Sequence, residues 1–225
     1  MYIVENVLQC APQILKLRNE TFSERLGWKV KSVDGQERDE FDELSTTIHL
    51  AEFEQDKCVS CCRLMPTTGP NMVRGVFDFL LGDTPVPIRP ETWEISRFAV
   101  AKDQVSSSII SNRTGTLLYG LLEFGLTIGL QSFVGVVDVR MERIIRIAGY
   151  SVKRLCQPQR IEDTRALVIE VEISTEILAA MKYKSGIQPT SLSSYISSEP
   201  LYETYKNEPV QPHQHNIHHG EPNVI

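Results

Sequence analysis

Apolar positions recur along the chain with two periods, and the switches between them mark out the elements. Val7, Ile14, Leu17 and Phe22 have the spacing of a helical face over residues 6–25, with Pro12 as a start signal. Lys29 to Asp42 is polar and contains the turn dipeptide Asp34-Gly35. Thr46–Phe53 and Cys58–Met65 are strand-like, and the short polar link Glu54-Gln55-Asp56 makes them a hairpin. Pro66-Thr67-Thr68-Gly69-Pro70 ends the second strand; Met72–Leu81 predicts one or two helical turns and Pro85–Pro90 a loop. Trp93–Val100 is the next strand. Ser108–Leu130 is the longest helical pattern, with Leu117, Leu121, Phe124 and Ile128 on one stripe. Its glycines, Gly115, Gly120, Gly125 and Gly129, each cost up to about 1 kcal/mol of helix propensity but let the helix lie close to a sheet. Ser132–Val139 is nearly all apolar, as a buried central strand is. Arg140–Ala148 predicts a helix closed by Gly149, and Ser151–Leu155 and Arg165–Ile173 the last two strands. The fold class expected is α/β, in the α+β mixed-sheet sense, with six or seven strands in one sheet. Residues 1–184 form the expected domain; residues 185–225, Ser/Thr-rich and then polar and proline-bearing, read as a mobile tail.

Composition narrows the function. With 225 residues, 41% of them hydrophobic, the chain can build one sizeable core. A net charge of -6, from 29 acidic and 23 basic residues, argues against a general nucleic-acid binder. Met1-Tyr2-Ile3-Val4-Glu5 has no signal-peptide pattern, and Glu123 interrupts the longest apolar stretch short of the roughly 20 residues a membrane span needs. A cytoplasmic protein with no membrane partner is expected. The odd count of five cysteines argues against a disulfide framework. Cys58-Val59-Ser60-Cys61 has the spacing of a zinc half-site, but a regular strand would point the two thiols to opposite faces, and no second pair completes the ligands. Buried thiols and no metal are expected. Four of the five histidines lie beyond residue 212; His49, flanked by apolar residues, reads as a core side chain, so a histidine-based hydrolase is disfavoured.

Three runs of charged and aromatic residues stand out: Arg18 to Trp28, Glu37 to Asp42, and Trp93-Glu94-Ile95-Ser96-Arg97-Phe98, with Arg63 ending a strand between the last two. Most charge runs are solvated faces. Glu94 and Arg97 resist that reading, because they sit in an otherwise apolar strand, where an inward charge is costly unless paired or functional. Three apart, they would face opposite sides of a regular strand.

These segments resemble the LuxI-type autoinducer synthases, the acyl-homoserine lactone synthases. The matching positions are Arg18 and Phe22, Trp28, Asp39 and Asp42, Arg63, Phe77, and Glu94 with Arg97, together with the stretches Arg63 to Met72 and Trp93 to Phe98. The resemblance covers about residues 2–175 and implies a GNAT N-acyltransferase-like three-layer fold with a central twisted, splayed sheet. It implies a reaction in which the amino group of S-adenosylmethionine attacks an acyl thioester and the methionine carboxylate then closes a lactone, expelling methylthioadenosine. S-adenosylmethionine is thus a substrate, and no cofactor is implied. Glu94, Arg97 and Asp39 are the expected catalytic residues, with Glu94 as base directly or through water. Arg18, Phe22, Trp28, Asp42, Arg63 and Phe77 are expected to bind substrate, and Arg97 or Arg18 either to hold its carboxylate or to brace the aspartates. Gly135 and Val137 correspond to the acyl-pocket strand, and Gly135, where members making 3-oxo signals tend to have Thr, implies an acyl group without that substituent. Lys102 to Gly115 lacks a clustered Gly-x-Gly for a coenzyme A pyrophosphate, which fits an acyl-carrier protein as donor. Arg140, Arg143 and Arg146, with Lys153 and Arg154, are its expected docking face. The alternatives are a GNAT-like enzyme acting on another amine, coenzyme A as donor, and a non-catalytic binding protein.

Overall fold

A computed structural model describes residues 1–102, 110–161 and 163–185; the expected tail beyond Ser185 and residues 103–109 of the Lys102–Gly115 stretch lie outside the described residues. In chain order the elements are β1 (Tyr2–Glu5), α1 (Val7–Cys10), α2 (Pro12–Asn19), a π-turn (Glu20–Arg25), β2 (Ser32–Val33), β3 (Gln36–Glu37), a 3₁₀ turn (Glu40–Glu43), β4 (Ile48–Glu54), β5 (Lys57–Pro66) and α3 (Met72–Gly75). A second 3₁₀ turn (Asp78–Leu80), β6 (Thr92–Val100), α4 (Asn112–Thr127), β7 (Ser132–Asp138), α5 (Val139–Ala148), β8 (Val152–Arg154), β9 (Gln159–Ile161), β10 (Thr164–Glu172) and α6 (Thr175–Ser185) follow.

Among the described residues the main sheet has eight strands in the order β1-β4-β5-β6-β7-β10-β8, with β9 beside β10. Every pair is antiparallel except β6 and β7, which α4 connects as a crossover. That pairing lasts only from Thr92–Glu94 against Ser132–Val134, after which the two strands part. Gly135 stands at the fork: a Cβ there would lie 2.7 Å from the Ile95 carbonyl oxygen, so only glycine fits without moving backbone. Helices α4, α5 and α6 cover one face, where Leu50, Leu64, Trp93 and Phe133 meet Leu117, Leu121 and Phe124. On the other face α1 and α2 pack Ile14, Leu15 and Leu17 on Ala51, Cys61 and Ala99, and the region of α3 packs on Met65, Val134 and Val168. Gly125 of α4 lies against Ile173 and Phe133, the close helix–sheet approach its sequence predicts.

The structure departs from the sequence reading in several places, each with a local cause. The single helix expected over residues 6–25 is broken, because Ala11 precedes Pro12 and leaves the helical region (φ -148°), so that Pro12 starts a new helix. The Asp34-Gly35 turn (φ 53° and 70°) closes the small hairpin β2–β3 within a stretch read only as polar. Edge strands β1 and β9 and the helix α6 are additional elements. A bulge, marked by the register shift at Glu52/Phe53, puts Cys58 and Cys61 in one apolar cluster rather than on opposite faces. Burial and each other's proximity push the Cys58 thiol up, with the hydrogen bond involving Cys61 the leading cause. No described helix is long and apolar enough to cross a membrane.

Candidate active site

Strand β6 carries a second bulge opposite Cys61–Arg63, with Arg97 at φ 52°, an unusual conformation for a non-glycine residue. Its consequence corrects the expectation from alternation: Glu94 and Arg97 turn to the same face, toward α2 and α3. There Arg97 donates to Glu37 at 3.0 Å and to Asp39 at 2.9 Å, with its guanidinium 5.9 Å from the centre of the Phe22 ring. Arg63, reaching from β5, donates to Asp39 at 2.5 Å and to Asp42 at 2.9 Å, and its Nε to Ser96 Oγ at 3.0 Å. Arg18, from α2, makes a fork on Asp42 at 2.7 and 2.9 Å and a bond to Glu37 at 2.5 Å. Three guanidinium groups thus face three carboxylates, and Arg18, Arg63, Glu37 and Asp42 are sealed from solvent.

The Asp-x-x-Asp spacing has a direct structural meaning. Asp39 caps the 3₁₀ turn by accepting from Phe41 N, while Asp42 accepts from Asp39 N at 3.0 Å, a reciprocal capping box that fixes both carboxylates for the arginines. Burial pushes Asp42 up, but its bond with His49 and the charges of Arg18 and Arg63 outweigh this and hold it well below the usual carboxylate range. His49 Nε2 lies 3.4 Å from Asp42 Oδ1, and burial keeps the imidazole neutral by lowering it to about 4. It is a core histidine, as its sequence context suggests, but one set at the back of the charged cluster.

Glu94 is buried at the head of the fork. Its Oε2 accepts from Val73 N at 2.6 Å, at the start of α3, and its Oε1 has no hydrogen-bond partner. Desolvation raises it to about 7, against the opposing pull of the Val73 amide and the nearby arginines. Met72 links the parts, since Arg63 donates to its sulfur at 3.0 Å and Arg97 at 3.4 Å. Phe22 and Trp28 stack with ring centres 5.2 Å apart, forming an aromatic cover over Arg97.

On the opposite side of the fork lies an apolar cavity between Ile95–Phe98 and Gly135–Val137, backed by α4 and α5. The fork therefore has a buried, partly unsatisfied carboxylate on one side and an apolar cavity on the other.

Residues 5–181 match the autoinducer synthase family. The chain belongs to that family. The acyl-homoserine-lactone synthase of Rhizobium radiobacter is 35% identical over 163 residues, covering 69% of this chain and 74% of the relative. That of Pseudomonas aeruginosa is 32% identical over 168 residues, covering 74% and 84%. Among solved structures, the CoA-dependent acyl-homoserine lactone synthase BjaI, with SAM and isopentyl-CoA, superposes with a TM-score of 0.75 at 25% identity, covering 84% of this chain and 90% of that one. The synthase is an acyltransferase, an acyl-homoserine-lactone synthase, on a mixed-sheet fold of the kind the resemblance implies.

Of the site residues expected from sequence, the structure brings together Glu94, Arg97, Asp39, Arg18, Phe22, Trp28, Asp42 and Arg63. Phe77 makes no contact with the charged groups themselves but packs beside them, in the apolar cluster that holds Met72 and Val73, with its N–H donating to the Met72 carbonyl at 2.9 Å. Gly135 and Val137 line the apolar cavity. Arg140 and Arg143 are exposed on α5, whereas Arg146 and Arg154 are both tied to Glu142 at 2.9 and 2.7 Å. Glu37 and Met72 are site residues that sequence reasoning did not nominate. For Glu37 the signal is the Asp34-Gly35 turn, which folds it back under Arg18.

Proposed function

We propose that the synthase joins an acyl group from an acyl-carrier protein to S-adenosylmethionine and closes the lactone in the same site. The observation that carries this is Glu94, a buried carboxylate with a free oxygen, one residue before the strand segment Ile95–Phe98 that walls an apolar cavity. An α-ammonium group, with a pKa of roughly 7.7–8.0 in water, must lose a proton before it can attack. A carboxylate raised to about 7 is matched to receive that proton near neutral pH, directly or through one water. The amine nitrogen then attacks the thioester carbonyl, backbone amides freed where β6 and β7 part stabilise the oxyanion, and the carrier thiolate leaves and takes up a proton. In the second step a methionine carboxylate oxygen attacks the γ-carbon, the C–S bond breaks, and methylthioadenosine departs as a neutral thioether.

The residues divide by exposure. Arg18 and Asp42 are fully enclosed and brace the cluster, while Arg97 and Asp39, side chains 10% and 11% exposed, are placed to meet the substrate's carboxylate and its cationic groups. Phe22 and Trp28 supply ring faces for the sulfonium. An acyl group without a 3-oxo substituent fits the apolar lining beyond the fork. Coenzyme A as donor has one specific support, the isopentyl-CoA of the BjaI structure. The test is to incubate the protein with S-adenosylmethionine and matched carrier-protein and coenzyme A thioesters and to follow products by mass spectrometry. Acyl-homoserine lactone and methylthioadenosine should appear together, faster from the carrier protein; acylated amine without lactone would refute the second step, and faster turnover from coenzyme A would reverse the donor assignment.

A further inference from the structure

The cavity behind the fork is small, open on one side and walled by packed side chains. Its volume is about 80 Å³. Its walls are Leu118 and Leu121 of α4, Ile145 of α5, Phe133 of β7 and Ile169 of β10, all buried, and Tyr150. The Tyr150 ring is pinned, because its buried hydroxyl donates to the Leu118 carbonyl at 2.5 Å and so ties the end of α5 to α4. An apolar protein cavity of roughly 150 Å³ takes one benzene, so a cavity of about 80 Å³ has room for about three carbons. The thioester carbon and its neighbour cannot lie inside it, since the carbonyl must stay at the fork within reach of an amine beside Glu94.

The geometry points to a short acyl group, of about four to six carbons, as the one this synthase transfers. The inference rests on the acyl-transfer reading above and adds the length. Each methylene beyond the limit must either displace side chains from a close-packed core, held at Tyr150, or stay outside the apolar walls in contact with water. A misfit of one methylene in such a pocket lowers kcat/KM by roughly 10-fold or more. Ile145 and Ile169 are the wall residues whose trimming opens space in steps of one methyl group, without a new polar atom in the core.

The test uses the full chain and thioesters of butanoate, hexanoate, octanoate, decanoate and dodecanoate in competition, on carrier protein and on coenzyme A. Butanoyl or hexanoyl lactone should exceed decanoyl lactone by more than about 100-fold. A preference for decanoyl or longer groups overturns the inference. The variants Ile145→Val and Ile169→Val, combined, should move the optimum up by one or two carbons; an optimum that stays put contradicts the assignment of these walls. A binding measurement removes the dependence on turnover: calorimetry with S-acyl pantetheines of the same lengths should show affinity peaking near hexanoyl. Affinity rising steadily to dodecanoyl overturns the limit even if lactone forms, whereas a hexanoyl peak with no lactone from any donor upholds the limit and refutes the reaction instead.

Discussion

Glu94 is a residue whose ionisation the fold resists, and that resistance has two measurable consequences. Its carboxyl is raised from 4.5 to about 7, chiefly by burial. Between those values the unfolded chain gives up its proton while the folded one keeps it, so the group's stabilisation is present below pH 4.5 and is lost as pH rises to about 7. The loss amounts to about 3 kcal/mol by linkage. Glu94→Gln removes it, so the variant should gain stability relative to the parent on going from pH 4.5 to pH 8, as read by urea titration at both values; a constant difference would show that Glu94 does not titrate in this range. Asp42 behaves in the opposite way. It is held ionised between Arg18, Arg63 and His49, and Asp42→Asn leaves two enclosed guanidinium groups short of a counter-charge. Removing one partner of such a buried set costs about 3–5 kcal/mol, so urea unfolding should show a loss of that size, and a change under about 0.5 kcal/mol would contradict the bracing role.

At the scale of elements, the site depends on two departures from regular strand geometry in β6. The bulge at Arg97 turns it onto the face of Glu94, and the fork after Glu94 separates β6 from β7. Gly135 sits where the separation begins. Gly135→Ala brings a methyl group to 2.7 Å from the Ile95 carbonyl, which forces backbone apart. Overpacking of this kind costs about 1–3 kcal/mol, so the variant should melt at a lower temperature and lose kcat/KM, both checked on one preparation; an unchanged melting temperature would mean that the strands yield freely. The same two features explain what was legible beforehand. Apart from β9, strand and helix types along β4 to β10 follow from runs of apolar residues and their spacing, and the Asp39-x-x-Asp42 capping box is visible as a pattern. Bulges have no local signature in an apolar strand, so the shared face of Glu94 and Arg97, like that of Cys58 and Cys61, emerges only from the pairing with neighbours. Glu37 was hidden for a related reason, because a two-residue hairpin inside a polar run decides whether its charge meets water or Arg18.

For the whole molecule, a chain of net charge -6 presents Arg140 and Arg143 exposed on α5, the helix that also lends Met141 and Ile145 to the apolar cavity. An acidic carrier docked there would deliver its arm beside the fork. Arg140→Glu combined with Arg143→Glu should raise KM for acyl-carrier protein about 10-fold while leaving KM for S-adenosylmethionine unchanged, with the difference shrinking as salt rises. Initial rates at low and high ionic strength check this, and equal effects on both substrates would point to a folding defect instead of docking. The central claim, that acyl transfer runs through the buried carboxylate at the fork, is tested most directly by the pH dependence of kcat/KM for the parent and for Glu94→Gln. The parent should rise through an apparent pKa near 7, and the variant should lose both that limb and at least about 100-fold in rate. A variant that keeps the parent's rate and profile would contradict the account.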